Sequence, residues 1–201
     1  MPLLHFQAIR INYGVITGIG DKAFYGLDDL KIIQLDNTEL TKPPNIDYVG
    51  HTLDQILFRD NNISQIPNDY FKNATNIRIV SLSLNQIQAI PDLCYIQEAL
   101  ESLDFDSNQI AELGSLLECP FPKLITIRIS YNYIKHLGLT CDIRLNNWPA
   151  LTWLEMQNNE LTSLPGLYCD LPDNATTDYW LSINTRSNPF YCDRSFKWMV
   201  S

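Results

Sequence analysis

The side chains that could work on bonds or metals are few, and their spacing argues against most chemistry. The histidines His5, His51 and His136 stand apart in the chain. The cysteines are Cys94, Cys119, Cys141, Cys169 and Cys192; no two are spaced C-x-x-C, and none joins a histidine at zinc-ligand spacing. No G-x-S-x-G, H-E-x-x-H or glycine-rich phosphate loop occurs. Asp104 and Asp106, two residues apart, are a carboxylate pair that general acid–base chemistry could use. On a strand they share one face. If that face is an open sheet, water holds both carboxyls near their ordinary pKa values, so no enzyme, cofactor or metal is expected. The aromatic and charged residues nearby (Arg128, Tyr131, Trp153, Glu155) suit non-covalent recognition instead.

The elements that position these residues follow from an internal period. Leu53, Ile56, Phe58, Asn61, Ile63 and Ile66 set a template, and Ile77, Val80, Leu82, Asn85, Ile87 and Ile90 repeat it. The same spacing recurs from Leu100, Leu124 and Leu151. It extends back to Leu30 and Phe6, with Thr38 and Gly14 in the asparagine place, and forward to Trp180. Repeat starts therefore fall near residues 6, 30, 53, 77, 100, 124, 151 and 180; the first six are 23 or 24 apart and the last two spacings are 27 and 29. Alternating apolar residues make a short strand with one buried face, and the period returns the chain to the next rung of a parallel sheet. Asn61, Asn85, Asn108, Asn132, Asn159 and Asn188 then form a ladder whose amides satisfy main-chain groups of neighbouring coils. Thr38 and Gly14 would do so less well, which predicts weaker first coils. Phe24, Tyr48, Phe71 and Tyr95, each ten residues past the ladder position, are expected as an aromatic spine in the convex half.

The segments Leu100–Ile110 and Leu151–Leu161 follow L-x-x-L-x-L-x-x-N-x-L, with Phe105, Ile110 and Met156 in leucine places. The chain resembles the leucine-rich-repeat family over essentially its whole length. DKAFYGLDDL (Asp21 to Leu30) and PNDYFKNATNI (Pro67 to Ile77) look like the animal extracellular subtype, as in toll-like receptor ectodomains and variable lymphocyte receptors. The resemblance implies an α/β solenoid: a right-handed horseshoe with a parallel sheet on the concave face, and loops and short 3-10 turns on the convex face. Residues 1–188 form this solenoid. Residues 188–201 resemble the start of a cysteine-rich C-terminal cap: Asn188, Pro189, Cys192 and Trp198 match its pattern, while Arg194 replaces its second cysteine.

Cys94, Cys119, Cys141 and Cys169 occupy nearly equivalent sites in successive coils, which stacking brings to about 5 Å. Pairs Cys94–Cys119 and Cys141–Cys169 use all four; Cys119–Cys141, Cys169–Cys192 and four free thiols remain open. Asn62, Asn73 and Asn174 begin glycosylation sequons. Together these favour an extracellular protein, secreted or part of a cell surface. Net charge is −9 over 201 residues, which disfavours nucleic acid, and no apolar run reaches the ~18 residues that cross a bilayer.

Residues between the core positions of each strand face outward in columns. They predict an apolar patch of Leu57, Ile79 and Leu84, with Arg59 beside it, and a charged, aromatic patch of Asp104, Asp106, Arg128, Tyr131, Trp153 and Glu155. The function expected is non-catalytic recognition of a protein or carbohydrate ligand through this face, receptor-like and of innate-immune type. A self-associating adhesion scaffold that forms homodimers and an intracellular scaffold are the alternatives.

Overall fold

The computed structural model describes residues 5–16, 18–139, 146–164 and 181–191. Eight strands follow one another through these residues: β1 (Ala8–Asn12), β2 (Ile32–Asp36), β3 (Gln55–Leu57), β4 (Ile79–Ser81), β5 (Ser102–Asp104), β6 (Thr126–Arg128), β7 (Trp153–Glu155) and β8 (Ser182–Asn184). All pair in parallel with their sequence neighbours, in the order β1 to β8. Coils are numbered here by their strand. Register is fixed by the apolar alternation: Ile33, Ile56, Val80, Leu103, Ile127 and Leu154 sit opposite one another, all essentially buried. A slip of one residue would turn this row outward.

Each strand is short because the chain turns sharply just after it. Tyr13, Asn37, Asp60, Leu84, Ser107, Tyr131, Asn158 and Ser187 all take left-handed φ values between 54° and 59°. Each immediately precedes a ladder position.

The ladder has a direction. The Asn85 side chain takes the Ile63 N–H on Oδ1, and its Nδ2 donates to Phe58 O in the preceding coil and to Leu82 O in its own. Asn61, Asn108, Asn132, Asn159 and Asn188 repeat this geometry; Asn188, for example, accepts from Leu161 N and donates to Met156 O. Each asparagine therefore ties its coil to the one before. That confines the effect of Thr38 to the junction of coils one and two. The Thr38 N–H and hydroxyl both donate to Asn61 Oδ1, so its side chain serves the following coil. The Ile16 N–H is taken by the Thr38 main-chain carbonyl at 2.8 Å instead of by a side-chain amide. Pairing between β1 and β2 also runs over five residue pairs, against three at the next junction. The weakness expected of the first coils is thus offset by main-chain pairing.

The convex side corrects the expected aromatic spine. Phe24 and Phe71 are buried, but Tyr48 and Tyr95 are exposed, and the residues that follow them, Val49 and Ile96, enter the core. A phenol needs a wet or hydrogen-bonded end. Tyr48 instead meets Tyr25 edge to face at 5.2 Å on the surface. Phe121 and Trp148 extend the interior, Trp148 with its indole N–H on Leu116 O. Single 3-10 turns at Gly50–Thr52, Cys94–Ile96 and Gly114–Leu116 close coils on this side. Cys94 and Cys119 are joined by a disulfide between coils four and five, with Cα atoms 5.7 Å apart. Cys141, Cys169 and Cys192 lie outside the described residues.

Candidate functional site

The sheet places the predicted surface residues in register, and their surroundings differ sharply. Of the expected apolar patch, only Leu84 stands clear, at 54% exposure. Leu57 and Ile79 are half-buried, because neighbouring strands only ~5 Å away cover their flanks. Arg59 is not free either. It forms an ion pair with Asp36, whose Oδ2 takes the guanidinium at 2.9 Å while Oδ1 takes the Arg59 main-chain N–H at 3.0 Å.

Coils five to seven bring the second group together. Asp104 on β5 is opposite Arg128 on β6, which is opposite Glu155 on β7. Asp104 accepts the Ser81 hydroxyl at 2.8 Å with one oxygen and the Asp106 N–H at 3.1 Å with the other. Asp106 Oδ1 takes the Ser130 N–H at 2.6 Å. Arg128 leans to Glu155, with Nε 3.9 Å from Oε1. No described cation pairs with Asp104 or Asp106. Tyr131, next to Ser130, and Trp153, at the start of β7, are 54% and 53% exposed. Aromatic rings held half out of water beside unpaired carboxylates are the composition of an interaction hot spot.

The expectation that an open sheet leaves carboxyl pKa values unshifted fails at Asp106. Its pKa is raised from 3.8 to about 6, chiefly by burial and with help from the nearby charges of Asp104 and Glu155, while the Ser130 N–H and hydroxyl work the other way. The face is not as shallow as alternation alone implies: side chains of adjacent coils wall the carboxyl in. The Ser130 hydroxyl is buried and makes no well-formed hydrogen bond, though it helps to hold the Asp106 pKa down.

Two things escaped the sequence reading. One is Ser130, whose type carries no signal until its partner's environment is known. The other is a cleft of about 540 Å³ on the loop side, lined by Pro44, Ile46, Pro67 and Tyr70, where the Tyr70 hydroxyl donates to Pro44 O. His5 is not isolated, since its Nδ1 meets an Asp29 carboxylate oxygen. Of the sequons, Asn62 and Asn73 are exposed; Asn174 lies outside the described residues. Among the described residues no helix is long and apolar enough to cross a membrane.

Comparisons with known proteins fit this geometry. Curated protein sequences give no match. Among solved structures, the leucine-rich-repeat domain of APL1B aligns with a TM-score of 0.63 at 20% identity, over 90% of this chain and 56% of that one. A leucine-rich-repeat protein of Leptospira interrogans aligns with a TM-score of 0.63 at 18% identity, over 96% of this chain and 57% of that one. A chain of the octameric complex of latrophilin 3, Unc5D and the leucine-rich-repeat region of FLRT2 reaches 0.71 at 22% identity, over 94% of this chain and 55% of that one. The chain thus spans little more than half the length of each, and identities this low speak for the fold alone. The family model described as BspA type leucine rich repeat region matches six copies over residues 4–117, more than half of the chain. With that match over a parallel sheet stitched by asparagines, the chain belongs to the BspA type leucine-rich-repeat family.

Proposed function

We propose that the chain is an extracellular recognition module that binds a protein ligand on the concave face of coils five to seven. The observation that carries this reading is the pairing of half-exposed Tyr131 and Trp153 with Asp104 and Asp106, which form no ion pair among the described residues. Leu84 and Arg59 extend the same face toward coils three and four. The Cys94–Cys119 disulfide and exposed Asn62 and Asn73 support an oxidising, glycosylating compartment. The role proposed is receptor-like, of the kind filled by toll-like receptor ectodomains and variable lymphocyte receptors. An acidic face does not favour nucleic acid. Labelled protein probed on peptide and glycan arrays tests this. Peptide binding that disappears in a Trp153→Ala/Tyr131→Ala variant supports it. Binding that survives the double substitution refutes the concave site, and binding to glycans alone refutes the protein ligand.

A second reading, self-association as an adhesion scaffold, is favoured by Leu84, an apolar side chain 54% exposed on the same face beside half-buried Leu57 and Ile79. Sedimentation at micromolar concentration separates the two; a strict monomer removes the scaffold.

A further inference from the structure

The repeat supplies its own control. Asp36 and Asp106 occupy the same place in coils two and five, two residues before the ladder position. Each gives Oδ1 to the main-chain N–H of the equivalent residue in the next coil, Arg59 in one case and Ser130 in the other. In coil three that residue also sends its guanidinium back to Asp36 Oδ2 at 2.9 Å. In coil six it is serine, which carries no guanidinium; its buried hydroxyl makes no well-formed hydrogen bond, although it lies near enough to Asp106 to help hold that carboxyl's pKa down. No described donor reaches Asp106 Oδ2. The coil-five site therefore shares the main-chain bond of its coil-two counterpart but lacks both donors that meet Asp36 Oδ2, the Arg59 guanidinium and the Gln34 amide, whose place Asp104 takes.

We propose that coils five to seven seat an arginine side chain of a protein partner, with Asp106 Oδ2 as its principal acceptor and the Ser130 hydroxyl at the base of the seat. The proposal rests on the concave-face reading and names the partner's chemistry. Asp104 and Glu155 add negative charge on the same side, against Arg128, which is already drawn toward Glu155, and Arg59, which feels Asp104 but is held by Asp36. Tyr131 follows Ser130 in the chain and offers a half-exposed ring for a planar cation to lie against. Arginine fits better than lysine because the seat asks for a flat, forked donor facing an aromatic wall, as Arg59 already demonstrates at Asp36. The chain's net charge of −9 brings such a partner in from a distance, whereas the seat decides which cation stays.

The test uses the whole chain and three capped hexapeptides, carrying two arginines, two lysines or two citrullines, the last being neutral and nearly the same shape. Binding is read from the amide signals of Ser130 and Tyr131 by NMR. We expect saturable shifts with the arginine peptide and at least tenfold weaker binding with citrulline. Asp106→Asn should weaken the arginine peptide about tenfold. Asp28→Asn, which removes an equal charge from an exposed loop, should change binding less than twofold. Ser130→Arg should install the Asp36–Arg59 pairing at Asp106 and exclude the peptide. Equal binding of citrulline or lysine peptide overturns the arginine seat, as does equal weakening by Asp28→Asn, which would mean diffuse attraction. No binding by any peptide also overturns it. If array binding is nonetheless lost in Trp153→Ala/Tyr131→Ala, the seat falls while the concave-face reading stands.

Discussion

Replacing Asp106 by asparagine should make the protein more stable at neutral pH while removing its use. Asparagine keeps an oxygen for the Ser130 N–H at 2.6 Å and removes the charge that burial and two acidic neighbours penalise. The sign follows from linkage. The folded-state pKa is raised, so the folded protein holds this proton more tightly than the unfolded chain does. The penalty is absent near pH 3, develops as pH rises between the ordinary value of 3.8 and about 6, and is complete above that. A shift of that size corresponds to roughly 3 kcal/mol if fully expressed. The carboxyl is only half-buried, and solvent screening reduces the expected gain to about 1–2 kcal/mol. Urea denaturation of both proteins from pH 4 to pH 8 measures it. The variant should gain on the parent as pH rises and differ from it least near pH 4. A variant that is less stable at pH 7, or a difference that ignores pH, refutes the account of Asp106 as a strained carboxylate.

Three further outcomes follow from the scaffold. Asn108→Ala strips the Ile87 N–H and the Leu82 and Phe105 carbonyls of a buried partner and should cost about 3–4 kcal/mol in denaturant titrations. Reduction of the Cys94–Cys119 bridge, which closes a separation of 25 residues, should cost about 3 kcal/mol, seen as a lower Tm under dithiothreitol that a Cys94→Ala/Cys119→Ala variant no longer shows. Tyr131→Asn replaces a bulky residue at φ 55° with one that tolerates that region; it should stabilise by about 1 kcal/mol and weaken array binding together.

The fold was legible because the repeat is redundant: the row Ile33, Ile56, Val80, Leu103, Ile127, Leu154 and the asparagine ladder each state the same register. Orientation within the convex half was less legible. A spacing rule cannot tell that Tyr48 yields its place to Val49, because the decision turns on where a hydroxyl finds water. The surface patch was readable as a list but not as an environment. Leu57 and Asp104 look equally exposed by alternation, and the depth of each depends on neighbours one coil away. Asp106 shows the limit most clearly: Asp104 beside it was visible in the sequence, but burial, the largest cause of its perturbation, and Glu155, two coils distant, are not properties of its own strand.

The left-handed column gives an independent measure of where this surface departs from what folding requires. A residue at positive φ costs about 1 kcal/mol or more unless it is glycine, asparagine or aspartate. Asn37, Asp60 and Asn158 meet that demand cheaply, but Tyr13, Leu84 and Tyr131 do not. None of these three bulky residues is buried, so packing does not repay the cost. Tyr13 lies at the edge of the sheet, Leu84 in its middle, and Tyr131 beside the acidic seat. The desolvated Asp106 carboxyl, and the Ser130 hydroxyl that precedes Tyr131 in the chain and makes no well-formed hydrogen bond, add further local losses. Losses that cluster at one place on an otherwise regular lattice are what a partner's contacts would recover, because an arginine at Asp106 relieves the charge penalty and covers the ring in the same step. Coils five to seven are thus distinguished from the rest of the solenoid by a local excess of energy as well as by composition.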